Sequence, residues 1–427
     1  MRVYPFLLGI LVAVLFQIDL IAQQNDNEYH HSKIEFEGLK KTKVSFLNGI
    51  LARGASDNLA LSSLDQDLQI LRNLPSIADA TYTADTIAGK VHHTVHITER
   101  TTTLPIVNFG GIRGNIWFSL GASENNFRGV GNTALAFYQN NNGRHSGKIF
   151  FKKPRISNSD WGYSFLLNKW SSSEPIFFSE GTEQYLYDNN GIGGTLIRNF
   201  GLNSSLEVGG TLFRESYDRD PSQELQFSSG PESINLNKFL TKLEYKGGRL
   251  DYDFFYLTGL ESIITFQNVY TFSDNIVFNS LMYQGRLFTR PRKKLNLAFR
   301  VRAAISTNDD TPFAPFVADS HVNIRGIGNR IDRGTAQVIL NAEARYTAYH
   351  KKFWSIQAVA FSDSGTWRNP GGQLVDFFDS NQFRQFIGLG IRINYLKIFG
   401  ATLRVDYGVD IYNKEQRGFV IGLGQYY

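Results

Sequence analysis

Three charged residues in the last third of the chain, Arg325, Glu343 and Asp363, have the types and spacing of a buried electrostatic tether. Arginine offers a planar fork of donors that matches carboxylates, and it stays charged when buried. Arg325 lies in the run Val322-Asn323-Ile324-Arg325-Gly326, where the glycine lets the backbone turn tightly and approach a wall. In 337–349, Val338, Leu340, Ala342, Ala344, Tyr346 and Ala348 share one parity, and Gln337, Asn341, Glu343, Arg345 and Thr347 share the other. That is a strand with one greasy and one wet face. The next segment sets Trp354, Ile356, Ala358 and Ala360 against Ser355, Gln357 and Asp363, alongside Val359 and Phe361. Both acids should therefore point to the wet side, where two unpaired carboxylates would repel and need a cation. At about 4 Å and an effective dielectric near 20, one contact to Arg325 gives roughly 4 kcal/mol of gross attraction. Losing the arginine would strand two buried charges, at about 3–5 kcal/mol. Singly, each residue reads as an ordinary polar group of a wet face or a loop; the three together argue for an in-folded loop.

Strands of this kind must belong to something larger. From residue 104 onward the chain divides into amphipathic segments separated by turns rich in Gly, Asn, Ser and Asp. A tilted strand of about ten residues crosses a bilayer and uses about twenty with its connection, so this length permits sixteen antiparallel strands. Five fit after the Arg-Gly loop, at 337–349, 353–363, 383–396, 401–412 and 417–427. Ten or eleven fit before it, depending on whether 249–257 is a strand or part of a long turn, and the preference for even counts favours sixteen. The first strand is expected at 111–123 and the last at 418–427, with Phe419, Ile421 and Leu423 outward. Gly111, Gly114, Gly422 and Gly424 then lie near the seam where the two ends pair, and would weaken it, since glycine packs nothing. Ordinary hairpin and bulge chemistry would also account for these glycines.

Composition fits a transmembrane barrel. Mean hydropathy is −0.24 with 19% charged residues, yet aromatics reach 14% and Gly counts 39 among 427 residues. A greasy exterior, a polar lumen and aromatic girdles average to that mixture. The net charge of +5 comes from dispersed basic residues, which suits anionic lipid headgroups and argues against nucleic acid. There is no cysteine, hence no disulfide and no thiolate metal site. Residues 1–22 read as a secretory signal: Arg2, an apolar core from Phe6 to Ile18, and Ala22. No later run approaches 18 apolar residues. His30, His31, His92, His93 and His96 lack acidic partners at ligand spacing, so no metal and no cofactor are expected. No G-x-S-x-G occurs, and a lumenal Ser-His pair cannot be placed, so the chain is not expected to be an enzyme.

Residues 23–103 read as a compact α+β unit. Ile34 and Phe36 open a short strand ending at Gly38. Val44, Phe46, Leu47, Ile50 and Leu51 have near-helical spacing; Ser62 and Ser63 cap a second helix carrying Leu64, Leu68 and Leu71, closed by Pro75. Two β-like runs follow, at 78–84 and 90–99, giving the order βααββ.

Several of these motifs resemble the BamA/TamA superfamily of outer-membrane assembly and translocation proteins, a single POTRA domain followed by a surface-antigen-type barrel. Ile324-Arg325-Gly326-Ile327 is similar to the family's (V/I)RG(F/Y) loop, with Ile327 where an aromatic is usual. Asn341-Ala342-Glu343 and the run from Phe361 to Trp367 resemble the acidic strand motifs after it. The run from Glu124 to Asn132 resembles the D-x-N-x-x-G-x-G turn, and the run from Ile34 to Thr42 resembles the opening of a POTRA domain. The resemblance implies that Arg325 contacts Glu343 and Asp363 inside the barrel. It implies a seam that opens sideways to admit client strands, and a terminal aromatic, Tyr427, that helps the barrel itself be assembled. It further implies unfolded outer-membrane or exported polypeptides as clients, the lipid bilayer as surroundings, and a periplasmic domain open to accessory proteins. Two alternatives stand beside insertion of clients: a dedicated transporter of one exported partner, as in two-partner secretion, and a passive porin.

Overall fold

The structure, a computed structural model, describes residues 34–427 except 57–62, 88–89, 113–114, 142, 158, 179–180, 221–229, 274, 309–313, 319–322, 328–331 and 380–381. The expected signal segment, His30, His31, Ser62 and Gly114 lie outside the described residues, as do the side chains of Ser63, His92 and His93.

The N-terminal region follows the expected order: β1 (Ile34–Glu37), α1 (Val44–Ser56), α2 (Ser63–Arg72), β2 (Ile77–Ile87) and β3 (Lys90–Glu99). Its three strands run β1-β3-β2, with β1 parallel and β2 antiparallel to β3. Leu47 and Leu51 of α1 and Leu68 and Leu71 of α2 recur at helical spacing, so each helix presents one apolar stripe. Both stripes bury against Ile77, Ala80, Val95 and Ile97 of the sheet.

The rest forms one 16-stranded antiparallel sheet curled into a near-closed barrel. Eleven strands precede the long loop: β4 (Thr103–Ile112), β5 (Asn115–Phe127), β6 (Asn132–Asn141), β7 (Arg144–Lys153), β8 (Trp161–Phe178), β9 (Gly181–Phe200), β10 (Ser204–Arg219), β11 (Ser233–Asp253), β12 (Tyr256–Thr271), β13 (Val277–Arg292) and β14 (Leu295–Ser306). The loop carries a small separate hairpin, β15 (Phe316–Ala318) and β16 (Asp332–Gly334). Five strands complete the wall: β17 (Ala336–Lys351), β18 (Trp354–Arg368), β19 (Arg384–Tyr395), β20 (Thr402–Asp410) and β21 (Arg417–Leu423). Leu340, Tyr346, Trp354, Ile356, Leu389, Leu403 and Phe419 are exposed on the outside, while Asn341, Glu343, Arg345, Gln357, Asp363 and Asp406 are buried inside. A near-closed, curled sheet with a greasy exterior and a charged interior is a transmembrane barrel. Among the described residues no helix is long and apolar enough to cross a membrane.

Two sequence expectations are corrected here. The first strand is not 111–123: that stretch spans the end of β4 and most of β5, with Gly111 opposite Ile116. The signal passed over was Pro105, which has no N–H for a ladder and marks an edge strand, and β4 is an edge of this sheet. The last strand stops at Leu423 and does not reach Tyr427. The ambiguous 249–257 is the tip of the β11–β12 hairpin, not a strand of its own.

Candidate functional site

Loop segment 323–327 descends into the lumen and brings Arg325, Glu343 and Asp363 together with no solvent exposure of any of the three side chains. Glu343 lies seven residues from the start of β17, roughly 23 Å along the strand at about 3.3 Å per residue, which is mid-wall. Asp363 receives Nε and Nη2 of Arg325 at 2.8 and 2.9 Å and the Arg325 backbone N–H at 2.9 Å. Nη1 of Arg325 donates to Oε2 of Glu343. The fork is thus split, two prongs to one acid and the third to the other. Asn341 holds both sides, donating to Oδ1 of Asp363 and to the Asn323 carbonyl, each at 2.8 Å.

The cluster is larger than three residues. Arg345 donates to Oε1 of Glu343 at 2.6 Å, and Arg392 bridges Oε2 of Glu343 at 3.3 Å to Oδ1 of Asp406 at 2.7 Å. Three guanidiniums (Arg325, Arg345, Arg392) thus meet three carboxylates (Glu343, Asp363, Asp406), so the formal charges of this buried set cancel. Charge neutrality is what makes the buried set tolerable, while Nη1 and Nη2 of Arg345, Nε of Arg392 and Oδ2 of Asp406 make no hydrogen bond among the described residues. The flat face of Arg325 lies 3.7 Å from the ring centre of Phe361 and 4.5 Å from that of Tyr426. Flanking residues Ile324 and Ile327 bury against Ile339 and Phe386, so Ile327 fills an apolar pocket. Gly326 has φ +98°, a region glycine occupies without strain, and touches the backbone of Gly408 on β20.

Tyr427 is not on the seam. Gly424, at φ +93°, turns the chain out of the strand, and Tyr426 and Tyr427 tuck into the lumen, each 6% exposed, against Leu257, Phe288 and Ala298. Arg300, Arg325 and Arg404 all lie within 5.5 Å of the Tyr426 ring centre. Gly422 remains in β21, beside the Arg404 guanidinium. At the seam, β4 and β21 are neighbours, but no ladder joins them among the described residues; they are the two ends of the sheet.

The mouth on the N-terminal side is crossed from two directions. The β11–β12 tip, between the eighth and ninth wall strands, buries Phe255 and Tyr256 with Leu396, beyond β19, the fourteenth. Tyr252 stands 6.2 Å from Phe399, and Leu250 and Tyr252 lean on the Tyr426–Tyr427 cluster. Behind the tip sits α2: Asn73 donates to Asp251 at 2.8 Å and accepts from the Tyr252 N–H at 3.0 Å, while Gln69 donates to the Tyr252 carbonyl at 3.1 Å. On the other side the N-terminal region grips the β5–β6 turn. Lys43 N–H donates to the Gly129 carbonyl at 2.9 Å, Asn126 to Thr42 Oγ1 at 2.9 Å, and Lys41 pairs with Glu124 at 2.8 Å. The Glu124–Asn132 motif thus serves as a docking turn.

Sequence reasoning missed Arg345, Arg392, Asp406 and Gly408 as members of the cluster. Parity put Arg345 on the wet face, but only the register between strands brings these residues together.

No known family profile matches the sequence, and no curated protein matches it. Solved structures do share the fold. BamA from Haemophilus ducreyi lacking POTRA domains 1–3 superposes with a TM-score of 0.54 at 16% identity, over 91% of this chain and 82% of that one. CdiB from Acinetobacter baumannii gives 0.55 at 15% over 92% and 73%, and CdiB from Escherichia coli 0.55 at 12% over 91% and 74%.

Proposed function

We propose that the chain is an outer-membrane barrel of the BamA/TamA kind that inserts or translocates client polypeptides, with the N-terminal α+β region acting as a POTRA-like domain in the periplasm. The observation that carries this reading is the seam: two adjacent edge strands, β4 and a β21 of only seven residues, with no ladder between them among the described residues. Unpaired N–H and C=O groups at membrane depth cost several kcal/mol each, so such an edge favours pairing with an incoming strand. Client insertion then needs no covalent chemistry. The Arg325 tether supports the same reading, because it ties the long loop to β17 and β18 and makes no hydrogen bond to β4 or β21 among the described residues, which leaves the seam free to part. A lumen filled by the loop, the Tyr426–Tyr427 pair and the β11–β12 tip speaks against a passive porin.

The test uses the absence of native cysteine: cysteines introduced on β4 and β21 and oxidised across the seam. Locking the seam should abolish client insertion by the purified protein in lipid vesicles, and reduction should restore it. Full insertion with the seam locked would end the lateral reading and favour a route through the lumen, as for a dedicated exporter. In the native host, depletion that left outer-membrane barrel levels and surface proteins unchanged would end both.

A further inference from the structure

The outer wall carries a cleft of about 890 Å³ spread over β6 to β11. Its rim is one continuous row of paired positions, Tyr138, Gly147, Lys169, Asn190, Arg214 and Asn237, read straight across six strands. The row two residues nearer the N-terminal side is apolar: Ile149, Leu167, Ile192, Leu212 and Phe239, each 39–53% exposed. Facing and exposure put both rows on the lipid side. The change from grease to charge is abrupt, within one pleat.

The height of this boundary identifies it. Outward residues of β8 run Trp161, Tyr163, Phe165, Leu167, then Lys169, eight residues or roughly 26 Å of strand. Tilted at about 40°, that is roughly 20 Å of depth, close to the apolar band of an outer-membrane barrel. Lys169 and Arg214 therefore stand at the headgroup level of the leaflet away from the N-terminal region, which is the outer leaflet if the orientation proposed above holds.

Neither cation is neutralised by the protein. Lys169 and Arg214 are exposed and make no ion pair among the described residues; Arg214 makes a 3.3 Å hydrogen bond to Asn235. The nearest acid one row beyond, Asp188, is held by Arg144 at 3.2 Å. Two interstrand spacings separate the two cations, roughly 10 Å at about 4.8 Å each, with Asn190 of β9 between them. At the cleft's end Tyr138 hydrogen-bonds His145 at 2.6 Å.

We propose that this cleft is a binding site for a phosphate-bearing lipid of the outer leaflet. The phosphates would sit on Lys169 and Arg214, the headgroup polar atoms on Asn190 and Asn237, and the acyl chains on Ile149, Leu167, Ile192 and Leu212. Charge complementarity selects an anionic headgroup, and the apolar row directly beneath selects a lipid over a soluble anion.

The test is native mass spectrometry of the full chain released from detergent, titrated with diphosphorylated lipid A and with its dephosphorylated form. Wild-type protein should retain the phosphorylated lipid on the order of thirtyfold better, the attraction of two interfacial cations. K169S/R214S should lose that preference and K169R should keep it. Equal retention of the two lipids by wild type, or unchanged preference in the double variant, would overturn the site. Displacement of the lipid by millimolar inorganic phosphate would instead show a simple anion site and overturn the lipid assignment. Heat-modifiable gel migration verifies that each variant folds. Because the readout is lipid retention, it stands or falls separately from client insertion.

Discussion

Gly326 of the in-folded loop rests against Gly408 of β20 so closely that a Cβ on Gly326 would lie 2.8 Å from the Gly408 carbonyl carbon, and one on Gly408 would lie 2.6 Å from the Arg325 oxygen. The tether is therefore seated on bare backbone. G408A should lift the loop and destabilise the barrel by about 1–3 kcal/mol, the range of an overpacked contact. G326A should be worse, since alanine is also strained at φ +98°. Proteolysis of the long loop in folded protein is the measurement; a loop as resistant in G408A as in wild type would contradict the contact.

Arg325 divides its fork between two acids, and that division predicts an order of damage. R325A should cost about 3–5 kcal/mol by leaving buried carboxylates uncompensated. R325K should rescue little of it, because an ammonium cannot reproduce a split planar fork stacked on Phe361. E343Q should exceed D363N: Glu343 pairs with Arg325, Arg345 and Arg392, and Arg345 has no other carboxylate among the described residues, whereas D363N leaves Arg325 paired with Glu343. Urea unfolding midpoints of the four variants settle the ranking.

Tyr426 and Tyr427 occupy space that would otherwise be lumen. The double substitution Tyr426→Ala and Tyr427→Ala removes two buried rings and several cation–π contacts, each worth about 0.5–2 kcal/mol. In planar bilayers the variant should show larger and more frequent conductance steps than wild type. Identical traces would mean that the tyrosines do not limit the pore.

Docking of the N-terminal region carries a pH signature at Glu99. Partial burial raises its pKa, but hydrogen bonds from Thr42 and from the Lys41 and Thr42 backbone outweigh this and hold it below the usual glutamate range. A lowered folded pKa adds stability that is complete above the unfolded value, about 4.3, and is lost as pH falls through the folded one. The 40–43 segment should therefore loosen on acidification below about pH 4.3, and E99Q should be looser already at neutrality. Hydrogen exchange at Lys41 and Thr42 reads both.

Much of the architecture was written locally. Alternation in 337–349 and 353–363 gave the faces of β17 and β18, and with the Arg-Gly run it brought Arg325 to two acids before any register was known. What escaped was non-local or masked by competing patterns. Arg392 and Asp406 sit on strands that join the cluster only through the ladder of β18, β19 and β20. The end of β21 looked continuous because Phe419, Ile421 and Leu423 keep parity toward Tyr427, yet Gln425 breaks that greasy face and Gly424 offers the bend. β4 was missed because its start carries Pro105, which a sheet tolerates at an edge.

The hairpin tip at 250–257 has a mechanical consequence. Its rear is fastened to α2 by Asn73 and Gln69, and its front leans on the two tyrosines that cover the face of Arg325. A pull on the N-terminal region would therefore draw a stopper from beneath, and the far loop would lose part of its floor in the same stroke.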